Sequence, residues 1–194
     1  RLSRGLGDVY KRQILNIGLN DSNVSQLAEA FNDERFALDS YRRLIQMYSN
    51  VVLGVEHERF EAVLANKKRM DNVVSDADFN VDQLNWIINA YKNTVERFTD
   101  SLFPQEPYEQ LTGAIEAVFN SWQNKRAATY RKINNIPDSW GTGATIQTMV
   151  FGNLNDKSGT GVAFTRNPSN GDKELYGEYL ILSLIHISEP TRQP

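Results

Sequence analysis

Apolar side chains recur at three- and four-residue steps through ERFALDSYRRLIQMYSNVVL, at Phe36, Tyr41, Leu44, Ile45, Tyr48 and Val52. That period puts them on one stripe of a long amphipathic helix. A second stripe, Leu84, Ile87, Ile88, Tyr91, Val95 and Phe98, predicts another long helix over VDQLNWIINAYKNTVERF, with Asn80 as its cap. Shorter helices are predicted over VSQLAEAF, capped by Asp21 or Ser22, and from Glu58 to Lys68, followed by the polar linker DNVVSDADFN. Pro104 and Pro107 break the chain at FPQEP, because proline disfavours helix in the residue before it. Pro107 itself suits the first turn of a helix over YEQLTGAIEAVFNSW. A last helix covers KRAATYRKIN, and Pro137 ends it. Ahead of all these, ILNIGLND reads as a short extended piece closing in polar turn residues.

After Trp140 the pattern changes. GTGATIQTMVFG is apolar, β-branched and bounded by glycines. KSGTGVAFTRNPSNGDK reads as a strand and then a turn, with Pro168, Asn170 and Gly171 as turn chemistry, and ELYGEYLI reads as another strand. The expected class is α+β, a helical subdomain over residues 14–140 followed by a β-rich lobe over 141–181 that stops before its sheet is complete.

The ends read differently. The codons available to residues 1–13 and 182–194 are reverse complements in frame: Gln13 as CAG pairs with Leu182 as CTG, Arg12 with Ser183, Lys11 with Leu184, and so on to Arg1 with Pro194. One DNA element inverted at both ends accounts for this. Its wording resembles a translated sequencing adaptor, with a natural inverted repeat in the gene as the alternative. Both flanks are therefore set aside as non-native, and Ile14–Ile181 is expected to be an internal piece of a longer domain.

Composition narrows the chemistry. The net charge is −3, and the first flank carries Arg1, Arg4, Lys11 and Arg12 against Asp8 alone, so the remainder is more acidic still. No basic footprint for nucleic acid or an anionic membrane is present. Cysteine is absent, which excludes disulfides and thiolate chemistry. No apolar run approaches membrane-spanning length, and a cytoplasmic location is expected. His186 lies in a flank, which leaves His57, between Glu56 and Glu58, as a surface histidine at a helix start.

NIGLND, FALDSYRRLIQMYSNVV, FPQEPYEQLTGAIEAVFNSW, the pair Arg126-Ala127 and Tyr130-Arg131, IQTMVFGN and SGTGVAFTRNPSNGDKELYGEYLI follow one another in a fixed order. Together they resemble the N-terminal nucleotide-binding region of the pyruvate, phosphate dikinases. The resemblance implies an ATP-grasp fold, with ATP held between two lobes. It also implies an enzyme that interconverts ATP, phosphate and pyruvate with AMP, diphosphate and phosphoenolpyruvate. In that family a histidine on a separate swivelling domain carries the phosphoryl group, magnesium balances the phosphate charge, and the whole protein often forms a homodimer. Phosphoenolpyruvate synthases and related ATP-grasp phosphotransferases share parts of these segments and stay open as an alternative. So does a helical protein-interaction module of another class.

Carried onto this chain, Gln147, Met149 and Val150 fall at the linker beside the adenine. A hinge strand there can offer backbone groups to the adenine edge, and Met149 a polarisable surface; a buried strand of no special role is the other reading. Thr165 and Arg166 fall at a strand end, where Arg166 can meet phosphate bidentately or dock a domain. Glu178, next to Gly177, faces the nucleotide or a partner domain, or is structural. Ser158-Gly159-Thr160-Gly161 suits a phosphate-binding loop less well than a hairpin turn. Arg42, Arg43, Arg126 and Arg131 read as helix-surface or ion-pair residues. The lysine and arginine that grip the phosphates would lie before Ile14, and the acidic pair for magnesium beyond Ile181. No catalytic residue and no metal ligand is therefore expected here, and the isolated chain is expected to be inactive.

Overall fold

The computed structural model describes residues 14–155 and 157–181, so the flanks read as non-native lie outside the described residues. The chain divides into two compact units after Ile146. The first is helical: α1 (Val24–Phe31), α2 (Glu34–Val51), α3 (His57–Asp71), α4 (Val81–Thr99), α5 (Pro107–Asn120) and α6 (Lys125–Ile133). The second holds an antiparallel pair, β1 (Gly159–Phe164) and β2 (Tyr176–Ile181). The architecture is α+β.

In the helical unit α2 packs chiefly on α4. Their stripes meet in a core of Leu44, Ile45, Tyr48, Leu84, Ile87 and Tyr91, to which α3 adds Phe60 and Leu64. Burying each such side chain contributes about 1.5–3 kcal/mol relative to leaving it exposed. Phe60 meets Tyr91 edge to face at 5.0 Å, an arrangement that adds to plain burial. Phe98 departs from its predicted place in the stripe. It is 43 % exposed, and the Arg59 guanidinium covers its ring at 3.7 Å.

The caps are local chemistry. Asp33 accepts from the Phe36 N–H at 2.8 Å to start α2. Asn80 and Gln83 exchange bonds in a capping box at the start of α4, as the sequence predicts for Asn80. At α1 neither Asp21 nor Ser22 caps. Asn20 Oδ1 takes the N–H groups of Ser22 and Asn23 instead, because it sits one turn ahead of the helix with two free donors in reach.

ILNIGLND is a turn rather than an extended piece. Asn16 adopts φ 63° and its carbonyl accepts from Leu19 N–H, a conformation asparagine tolerates. The turn is held from afar by Gln110 of α5, which is fully buried. Its Oε1 accepts from Gly18 N–H at 2.8 Å, and its Nε2 donates to the carbonyls of Leu19 and Pro104.

Arg42, read as a helix-surface or ion-pair residue, is ion-paired and buried at 2 % exposure. Its Nη2 lies 2.7 Å from Asp39 Oδ1, while Arg43 Nε takes Asp39 Oδ2 at 2.8 Å. Burial pushes the Asp39 carboxyl up, but the two guanidinium groups outweigh it and hold Asp39 below its ordinary value. Arg131 is also buried, with Nε 2.7 Å from Asp138 Oδ1 and Nη1 on the Trp122 carbonyl.

Candidate functional site

The six residues singled out from the sequence all fall in the second unit. Its hairpin is built for close approach. Gly177 stands opposite Ala163, and a Cβ added at Gly177 would lie 2.6 Å from the Val162 carbonyl oxygen. Gly159 is similarly tight, 3.0 Å from the Leu180 carbonyl oxygen. Phe164 and Tyr176 close the far end, ring centroids 6.4 Å apart. Gly159 and Gly161 are thus strand residues, and Ser158–Gly161 forms neither a phosphate loop nor a hairpin turn; the ladder to β2 takes this backbone.

The turn lies at 165–175, where Asn167 organises it. Its N–H donates to the Asp172 carbonyl and its carbonyl accepts from Gly171 N–H. Its side chain accepts from Ser169 N–H at 2.9 Å and donates to Glu174 at 3.0 Å. Gly171 takes φ 85°, which supplies the left-handed residue that the turn needs. Asn170 Oδ1 accepts from the Asp172 N–H at 3.0 Å. Sequence reasoning marked Asn170 and Gly171 but missed Asn167; the Asn-Pro dipeptide there was the available signal.

Thr165 and Arg166 leave β1 into this turn, both exposed. Arg166 Nη1 donates to the Gly171 carbonyl at 3.2 Å, which anchors one edge of the guanidinium and leaves the group in solvent. Glu178 occupies β2 opposite Val162. Thr165 and Arg166 are therefore brought together with the strand that carries Glu178.

Gln147, Met149 and Val150 belong to the same unit but to no strand. Residues 141–150 form no strand, and no backbone hydrogen bond joins 147–150 to another described segment. A strand exists only through a ladder partner, and none is present among the described residues. Gln147 is exposed, Met149 is half-buried and Val150 is 84 % exposed, so these are not core positions. Their unpaired N–H and C=O groups are what a planar base with donors and acceptors on its edge would use.

Residues 12–181 match the family described as Pyruvate phosphate dikinase, AMP/ATP-binding domain. The chain belongs to that family. Its relatives include the pyruvate, phosphate dikinase of Rhizobium meliloti (strain 1021), 52 % identical over 168 residues. That of Clostridium symbiosum is 52 % identical over 169 residues. A chloroplastic form from Mesembryanthemum crystallinum is 49 % identical over 168 residues. Each alignment takes in 87 % of this chain, but only 19 % of the first two relatives and 18 % of the third. The chain thus spans about a fifth of the length of these dikinases. Among the described residues no helix is long and apolar enough to cross a membrane.

Proposed function

We propose that this chain forms part of the ATP site of a pyruvate, phosphate dikinase. That enzyme converts ATP, phosphate and pyruvate to AMP, diphosphate and phosphoenolpyruvate in the cytoplasm. The match of residues 12–181 to the family's AMP/ATP-binding domain carries the reading. In it, the free backbone at Gln147–Val150 takes the adenine edge, with Gln147 adding a side-chain amide and Met149 an apolar surface. Thr165 and Arg166 present a hydroxyl and a guanidinium to the phosphates from the rim of the hairpin, and Glu178 belongs to the paired strand.

Residues of the chain position and neutralise. Transfer of a phosphoryl group depends mostly on such placement and on electrostatics. Magnesium would screen the phosphate charge when bound. Among the described residues no group of three or more histidine and carboxylate side chains is placed to hold a metal ion, so no step is assigned to it on this chain. The swivelling phosphohistidine domain and a second subunit are partners supplied by the rest of the protein.

Two measurements test the reading. Titration of the 194-residue chain with Mg-ATP in a calorimeter should show weak binding or none, because the phosphate grip is placed elsewhere; micromolar affinity overturns that placement. In the full-length enzyme, Arg166→Ala should raise KM for ATP about tenfold, the effect of one lost charge-assisted contact. Unchanged KM with either substitution, Arg166→Ala or Gln147→Ala, removes the site from this lobe.

A further inference from the structure

The turn after β1 holds a second piece of chemistry. Asn170-Gly171 is the one Asn-Gly dipeptide in the sequence. Both residues are exposed. Glycine has no Cβ to shield its nitrogen, and a Cβ built at Gly171 would meet nothing within 4 Å, so water reaches the peptide between them. The Asn170 side chain is tied back over the main chain. Its Oδ1 accepts from Asp172 N–H at 3.0 Å, and its Nδ2 donates to Asp172 Oδ2 at 2.7 Å. The ring closed by the first bond contains both Asn170 Cγ and the Gly171 nitrogen, which keeps the amide carbon folded toward that nitrogen.

The bonds around this dipeptide act in opposite directions. The Asp172 N–H is aimed at the oxygen on which negative charge develops when Cγ is attacked, and so favours attack. The Gly171 N–H donates to the Asn167 carbonyl at 2.8 Å, and while that bond stands the nitrogen keeps its proton. Asparagine in such a setting is chemically labile.

We propose that Asn170 is a site of intramolecular deamidation, with the Gly171 nitrogen as nucleophile, water as co-reactant and the Asn167–Gly171 bond as the gate. Hydroxide takes the Gly171 proton. The nitrogen bonds to Asn170 Cγ, the Cγ–Nδ2 bond breaks, and Nδ2 leaves as ammonia with a proton returned by water. The cyclic imide then adds water. Opening at Cγ gives aspartate on an unchanged main chain. Opening at the Asn170 main-chain carbonyl gives isoaspartate, whose main chain runs through Cβ and Cγ. No oxidant or reductant takes part. Aspartate sets a carboxylate against Asp172 where Nδ2 had donated, so repulsion replaces a hydrogen bond. Isoaspartate lengthens the turn itself. Both disturb the Gly171 carbonyl that anchors Arg166 Nη1. The chemistry belongs to the turn alone and stands apart from the nucleotide reading.

The test incubates the 194-residue chain at mildly alkaline pH and digests it with trypsin, which cuts after Arg166 and Lys173 and isolates residues 167–173. That peptide holds a second asparagine, Asn167, but Pro168 follows it and has no N–H to give up. The peptide should show the mass change of amide to acid, at a rate that rises in proportion to hydroxide. It should also contain isoaspartate, read with an isoaspartyl methyltransferase. Asn167→Ala, which loosens the gate, should raise the rate several-fold. Conversion in a synthetic peptide of residues 167–173 but none in the folded chain overturns the site. Aspartate without isoaspartate overturns the Gly171 nucleophile. A rate unchanged by Asn167→Ala overturns the gate.

Discussion

A methyl group added to Gly113 would lie 2.4 Å from the hydroxyl oxygen of Tyr48 and 3.1 Å from Cγ1 of Val52. Glycine at this point of α5 is not there for backbone freedom, since it sits within a regular helix. It is there for proximity. Gly113→Ala should therefore destabilise the unit by about 1–3 kcal/mol through overpacking, despite alanine's better helix propensity. Tyr48→Phe removes the opposing oxygen, and the double variant should recover most of the loss. Urea denaturation of the four proteins measures this as a coupling energy. Additive effects would mean that α5 simply shifts aside.

Asp39 sets an acid limb. Its folded value lies below the ordinary one, so its contribution is present above that ordinary value and disappears as the pH falls through the lower folded value. Stability should thus fall in the acid range below about pH 4. Asp39→Asn should flatten this limb. At neutral pH it should also cost about 3–5 kcal/mol, because buried Arg42 would lose its nearer carboxylate and keep only Asp76, at 3.8 Å. Unfolding curves at several pH values compare the two proteins.

Asn167→Ala should loosen the turn after β1 without unfolding the helical unit. It removes the bonds to Ser169 N–H and Glu174, each worth about 0.5–1.5 kcal/mol. Amide exchange at Ser169 and Gly171 should accelerate while the α4 amides stay protected. Protection unchanged at Gly171 would show that the Asn167 main chain suffices.

Asn80→Ala should cost about 1 kcal/mol by removing the cap of α4. Asn80→Ser should restore most of it. Thermal denaturation of both variants checks the pair.

Those contrasts show which parts of the sequence were legible. α4 could be read because both its signals are local: an apolar period of three and four, and a cap three residues from its partner. An ion pair was one of the two readings for Arg42, but its burial was not readable, since an arginine on a stripe's edge leaves the same pattern whether solvent or the core surrounds it. Only the fold brings the linker carboxylate of Asp76 to within 3.8 Å of it. ILNIGLND was misread because its apolar residues suggested a short extended piece, while the left-handed Asn16 that makes it a turn leaves no periodic trace. Segment 141–150 was misread for the converse reason. Its residues suit a strand, but strands depend on pairing at long range, which composition does not encode. The candidate site was legible as far as motif order allowed. What motif order could not supply was the Asn167 scaffold under Arg166.

The Gln110 side chain reaches back 92 positions to the amide of Gly18. A bond that spans so much chain closes late, after the helices between its ends have found one another, because loop-closure entropy has to be met first. Gln110 is therefore a latch as well as a polar residue in a core. Until it is set, the Gly18 amide and the Leu19 carbonyl at the start of the unit, and the Pro104 carbonyl ahead of α5, stay in water, and exchange of the Gly18 amide reports whether the whole circuit of helices has closed.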